Sequence, residues 1–103
     1  MKNEIIVKNI MKTSYEVRTK KELRELVYGA DLIEVDVVRN NGRLVISTVI
    51  KRIGENYFEA KTDRMQVTHN ADTITNLLTD HINDGYIDEI IVDGKKITFG
   101  GNE

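Results

Sequence analysis

The sequence has no cysteine, no proline and no tryptophan, and its only aromatic residues are four Tyr and two Phe. Without cysteine there can be no disulfide framework, zinc knuckle, thiolate nucleophile or iron–sulfur ligation. Without proline, turn signals rest on Gly together with Asn or Asp. Long apolar runs are missing too. Residues Met1 to Met11 carry Lys2, Glu4 and Lys8 where a signal peptide needs an uninterrupted apolar stretch. The expectation is a cytoplasmic protein with no membrane segment.

What is present is a β-biased apolar set. Apolar residues make up 40% of the 103, led by thirteen Ile and ten Val against six Leu and three Ala. Branched Cβ atoms suit a pleated, half-buried surface. A chain of this size buries roughly 65% of the surface its unfolded form exposes, enough for one layered core. A single domain over residues 1–99 is expected, with 100–103 as a disordered tail. The net charge is −2, unevenly spread. Residues 1–29 hold seven basic and four acidic groups, whereas 80–93 hold five acidic and no basic ones.

Local patterns place the elements. Residues 1–12 read either as a strand, favoured by Ile5, Ile6 and Val7, or as a helix capped by Asn3; the strand is preferred. Tyr15 to Arg18 reads as a short strand. Thr19 and Glu22 form a capping box, Leu23, Leu26 and Val27 a buried stripe, and Gly29 the left-handed end of a first helix. Leu32 to Arg39 and Arg43 to Ile53 flank an Asn41-Gly42 turn whose register sets Val37 opposite Ile46, Val35 opposite Thr48 and Ile33 opposite Ile50. Glu34 and Asp36 then point to the other face. A turn at Gly54-Glu55-Asn56 leads to a strand over Tyr57 to Lys61, and a short strand is expected at Met65 to Thr68. Asn70 or Asp72 caps a second helix whose core face is Ile74, Leu77, Leu78 and Ile82, ended by Gly85. Tyr86 to Val92 and Lys95 to Phe99 close a hairpin on Asp93-Gly94. The fold class is α+β: a mostly antiparallel twisted sheet of roughly five to seven strands, in hairpins and a meander, with two short helices packed on it.

No catalytic, metal or cofactor site is expected. The two histidines lack a third converging ligand, and His81 reads as a packed imidazole hydrogen-bonded to a backbone or carboxylate partner. No Ser or Thr sits on a strained Gly turn, and no Gly-rich phosphate loop appears. Two charged regions remain. Lys20, Lys21 and Arg24, in the basic first quarter, are the candidate contacts of a small nucleic-acid-binding regulator. Asp80, Asp84, Asp88, Glu89 and Asp93, with Tyr86 as an aromatic anchor and Ile87 beside it, form a candidate protein-binding strip whose natural partner is a basic surface. A structural or assembly part of a phage, oligomeric through an exposed strand edge, is a third reading.

The meander Leu32-Ile33-Glu34-Val35-Asp36-Val37-Val38 through Asn41-Gly42 to Leu44-Val45-Ile46, the acidic stretch Asp80 to Asp93 and the Lys/Asn/Ile-rich chain resemble the small accessory proteins of phages and mobile elements, among them the anti-CRISPR proteins. That resemblance implies a non-enzymatic inhibitor acting in a host bacterial cell on the RNA-guided nuclease of a type II CRISPR system. It makes Asp80, Asp84, Asp88, Glu89 and Asp93 candidate phosphate mimics. The net charge of −2 departs from the stronger acidity of DNA-mimicking members.

Overall fold

The computed structural model describes residues 14–39 and 41–99, the side chains of Ser14, Tyr15 and Asp88 excepted. The two readings of residues 1–12 and the expected tail at 100–103 lie outside the described residues. The elements are β1 (Ser14–Val17), α1 (Lys20–Gly29), β2 (Leu32–Arg39), β3 (Leu44–Arg52), β4 (Tyr57–Lys61), β5 (Gln66–Asn70), α2 (Ala71–Asn83), β6 (Ile87–Val92) and β7 (Lys95–Phe99). The strands form one seven-stranded sheet in the order β1-β7-β6-β2-β3-β4-β5. Every pairing is antiparallel except β1 with β7. This is the α+β class that composition and turn signals imply.

The β2–β3 register is the one the turn dictates: Val37 faces Ile46, Val35 faces Thr48 and Ile33 faces Ile50. Asn41 and Gly42 both have positive φ (56° and 87°), and the Gly42 amide donates to the Arg39 carbonyl at 3.1 Å. Asp93 and Gly94 likewise adopt φ of 49° and 82°, giving the two-residue turn that sets Val92 opposite Lys95 and Ile90 opposite Ile97. The strand expected from Met65 to Thr68 runs instead from Gln66 to Asn70, because Asn70 pairs with Tyr57 and is at the same time the N-cap of α2. Its side-chain oxygen accepts from the Thr73 amide at 2.8 Å.

Period two along each strand puts one set of side chains against the helices. Ile33, Val35, Ile50, Phe58, Ile90, Val92 and Ile97 are buried there with Leu23 and Val27 of α1 and Ala71, Ile74 and Leu78 of α2. Each large side chain fully buried in this way stabilises the fold by about 1.5–3 kcal/mol. β6 reaches this layer through an irregularity that sequence reasoning did not anticipate. Asp36 pairs with Glu89 but Val37 pairs with Ile87, so Asp88 is an extra residue at a bulge. The bulge lets Ile87 and Ile90, three positions apart, both turn toward the core. Ile87 is therefore packed against the core and is not the exposed anchor expected beside Tyr86.

The helix ends differ in how they are satisfied. At the start of α1 the capping box forms as expected, with Thr19 accepting from the Glu22 amide and Glu22 accepting from the Thr19 amide. Its end corrects the expectation for Gly29, which stays within the helix. The chain leaves through Ala30 in extended geometry (φ −86°, ψ 147°). A left-handed cap is not needed because Arg52 of β3 reaches across: Nη2 donates to the Tyr28 carbonyl (2.6 Å) and Nε to the Ala30 carbonyl (2.8 Å). The same guanidinium stacks 4.6 Å from the centre of the Phe58 ring. α2 ends locally. Gly85 has φ +77°, its amide donates to the Ile82 carbonyl and that of Tyr86 to the His81 carbonyl, the paired bonds of a Schellman motif.

Candidate functional site

The residues singled out as an acidic strip fall into separate settings. Asp80 and Asp84 lie near the C-terminal end of α2, exposed and with no side-chain partner among the described residues. Glu89 has the opposite strand parity to the core residue Ile90, so it lies on the sheet face that carries no helix, with Asp36 as its cross-strand neighbour. There it ion-pairs with Lys96 at 3.6 Å. Asp93 is occupied by the fold: its carboxylate accepts from the amides of Asp31 and Leu32 (3.0 and 2.9 Å), tying the last turn to the start of β2. The Asp88 side chain lies outside the described residues. Asp80, Asp84, Glu89 and Asp93 do not form one continuous patch, because the chain crosses from the helix layer into the sheet at Tyr86, strand alternation puts Glu89 on the face without helices, and Asp93 is taken up by the turn.

Tyr86 remains partly exposed (38%), with the Arg39 guanidinium 4.8 Å from its ring centre and the His81 ring 6.1 Å away. In the basic quarter, Lys20 and Lys21 are exposed on α1, while Arg24 approaches Asp72 at 3.9 Å. Asp72 also accepts from the Tyr28 hydroxyl at 2.8 Å, and this bond, followed by desolvation and the carboxylate charge, holds the phenol above its ordinary value of 10.0 against the lowering effect of Arg24. Of the basic candidates, Arg24 is thus paired across the two helices with Asp72, which is not one of the acidic candidates.

One concave feature of the helix-bearing face is a groove of about 330 Å³ beside α2. Its floor is Val35, Val37, Thr48, Ile50, Ala60 and Val67, from four adjacent strands. Its walls include Ile74, Leu77, Leu78 and His81 of α2, with Met65 and His69 on the β5 side. α1 packs on α2 but does not line the groove. That leaves Val37 and Thr48 only half-buried, although turn register made them core. Leu77, read as core from its helical spacing, is 41% exposed, and Met65 is 56% exposed. The His81 imidazole corrects a second expectation: its Nδ1 is buried with no hydrogen-bond partner among the described residues. Such an atom costs desolvation without compensation.

On the opposite face Glu34, Asp36 and Glu89 line a smaller concavity of about 210 Å³ with Ser47 and Val49. Asp36 accepts there from the Ser47 hydroxyl at 2.9 Å. Among the described residues no group of three or more His, Asp or Glu has metal-holding geometry, and no helix is long and apolar enough to cross a membrane.

The helix-side groove is an apolar concavity, and Asp80 and Asp84 are exposed further along α2, outside its lining. Sequence reasoning found the two aspartates but missed Met65, His69 and the exposure of Leu77. The uncharged segment Gln66 to Asn70 beside a helix with no Lys or Arg was the available signal. No protein-family model, curated protein or solved structure matches the chain.

Proposed function

We propose that this chain is a non-enzymatic inhibitor or regulator that acts by binding another protein, and that the acidic rim of α2 beside the apolar groove is its docking surface. The observation that supports this reading is that exposed Leu77 and Met65 line the groove, while Asp80 and Asp84, one and two turns beyond Leu77 along α2, are exposed and have no side-chain partner among the described residues. Apolar side chains supply the desolvated anchor of an interface, and carboxylates around it favour a cationic partner and speed its approach. In its specific form the proposal follows the resemblance: an anti-CRISPR protein acting in the host cytoplasm, with the basic surface of a type II RNA-guided nuclease as the partner. Of the residues that resemblance marks, Asp80 and Asp84 remain at the proposed surface, with Tyr86, expected separately as the aromatic anchor, shortly after them in the chain. Glu89 and Asp93 have other roles, in an ion pair and a turn.

The test is to mix the purified chain with such a nuclease, loaded and unloaded with guide RNA. Co-elution on size exclusion, with protection of target DNA from cleavage, is expected. Neither co-elution nor protection removes the specific form. Replacing Asp80 and Asp84 together by Asn should weaken co-elution in a salt-dependent way, while Lys20→Ala and Lys21→Ala should leave it unchanged.

A further inference from the structure

The groove beside α2 differs from the concavity on the opposite face in the chemistry of its lining. Glu34, Asp36 and Glu89 line the latter. No Asp, Glu, Lys or Arg lines the groove, whose walls rise on two sides of a sheet floor, Leu77 and Leu78 of α2 on one and Met65 on the other. Water gains little in such a space, because an ordered water needs two to four polar partners. The Thr62 hydroxyl, one of the few polar groups there, already accepts from the amides of Arg64 and Met65 at 3.2 and 3.1 Å. The His81 imidazole also lines the groove, and its Nδ1 is buried with no hydrogen-bond partner among the described residues. A polar ring kept on an apolar wall in this way bears a desolvation cost that an apolar side chain would not. A ligand that bonds to the ring offsets that cost.

We propose that the groove binds a small, uncharged, largely apolar molecule carrying one hydrogen-bonding group, and that His81 receives that group. This goes beyond the protein-binding reading and does not depend on it. Size follows from volume: about 330 Å³, at about 30 Å³ for each water-sized group, holds roughly ten non-hydrogen atoms and lies at the small end of the range for ligand pockets. Charge follows from the lining. A carboxylate would lie there with no Lys or Arg to meet it and an ammonium with no Asp or Glu, and burial penalises either. The polar group follows from His81. In a neutral imidazole one nitrogen donates and the other accepts, and a half-turn of the ring about Cβ–Cγ, a broad two-fold torsion, exchanges Nδ1 with Cδ2. A hydroxyl both donates and accepts, so it meets the ring in either tautomer. Met65, unbranched and 56% exposed, supplies the adaptable part of the wall.

The experiment titrates naphthol into the full chain and follows backbone amide, side-chain methyl and imidazole nitrogen NMR signals, with naphthalene and naphthoate as comparison probes. Saturable binding of naphthol is expected, with shifts centred on Leu77, Leu78 and Val67 and a change in the His81 ring nitrogens. Naphthalene should bind roughly threefold to tenfold more weakly, the worth of one hydrogen bond. Naphthoate should also bind more weakly than naphthol. His81→Leu retains an apolar wall, so naphthol and naphthalene should both still bind, now with equal affinity. Four outcomes overturn the proposal: no saturable binding of naphthol, shifts centred on the opposite face at Ser47 and Val49, naphthoate binding as tightly as naphthol, or a preference for naphthol over naphthalene that survives His81→Leu.

Discussion

The two ends of the helix-bearing face are built differently. At one end, β3 and β4 close the core under the last turn of α1: Phe58 and Val27 are fully buried, and Arg52 spans from the sheet to the helix carbonyls. At the other end the second half of α2 leaves the sheet partly open, with Leu77 and Met65 exposed over half-buried Val37 and Thr48. Both ends use the same strands and the same alternation. The difference is that at the closed end Arg52 meets the carbonyls of Val27, Tyr28 and Ala30 above a fully buried Phe58, whereas at the open end Leu77 and Met65 stay exposed and two carboxylates have no side-chain partner among the described residues. Stability is thereby concentrated where binding is not proposed, a division common in proteins whose binding sites forgo optimal packing.

The sharpest way to break this contrast is at the closed end. Phe58→Ala should cost about 3–5 kcal/mol of stability in a urea titration, through lost burial and the cavity left behind. Arg52→Ala should cost about 3 kcal/mol, because several carbonyls lose a charged donor at once. Arg52→Lys should recover little of that, since a single ammonium cannot reproduce the fork. A loss under 1 kcal/mol for Arg52→Ala would show that α1 is capped by other means.

Asp93→Ala is expected to cost about 1–2 kcal/mol and to leave nuclease binding unchanged, since its carboxylate serves the amides of Asp31 and Leu32. Loss of binding at unchanged stability would return Asp93 to the docking surface. At the open end, His81→Leu should leave stability unchanged or raise it by up to about 1 kcal/mol, because it removes a buried atom without a partner.

The smallest effect concerns Tyr28. Its phenol is raised above 10.0 chiefly by the hydrogen bond it donates to Asp72. The folded state therefore favours the protonated phenol. Any stability this confers is complete below the unfolded pKa and is lost as pH rises through the folded value. Phenolate absorbance, read as the difference between the protein and Tyr28→Phe, should appear at higher pH than for free tyrosine, and Asp72→Ala should bring it back down.

Much of the fold was legible in the sequence because its determinants are local. Thr19 and Glu22 announce a helix start, Asn41-Gly42 and Asp93-Gly94 announce turns, and the turn fixes the register that buries Ile33, Val35 and Ile50. What was not legible depended on residues distant in sequence. Gly29 resembled a helix cap, but Arg52, twenty-three positions later, took that role. The bulge at Asp88 has no local signature, and it is what carried Ile87 to the core. The acidic stretch is continuous along the chain and divided in space, because a helix end followed by a strand sends neighbouring residues to different faces. Helical spacing assigned Leu77 to the core correctly by angle, but the extent of sheet lying beneath that angle is a property of the whole layer.

The central claim is that the exposed rim of α2 beside the groove is where a partner protein binds. Amide hydrogen exchange on the full chain, with and without the guide-loaded nuclease, tests it most directly. Slowed exchange over the second half of α2, with Ser47 to Val49 unchanged, is the predicted result. Slowing confined to Ser47 to Val49, or no slowing at a nuclease concentration that saturates binding, would contradict it.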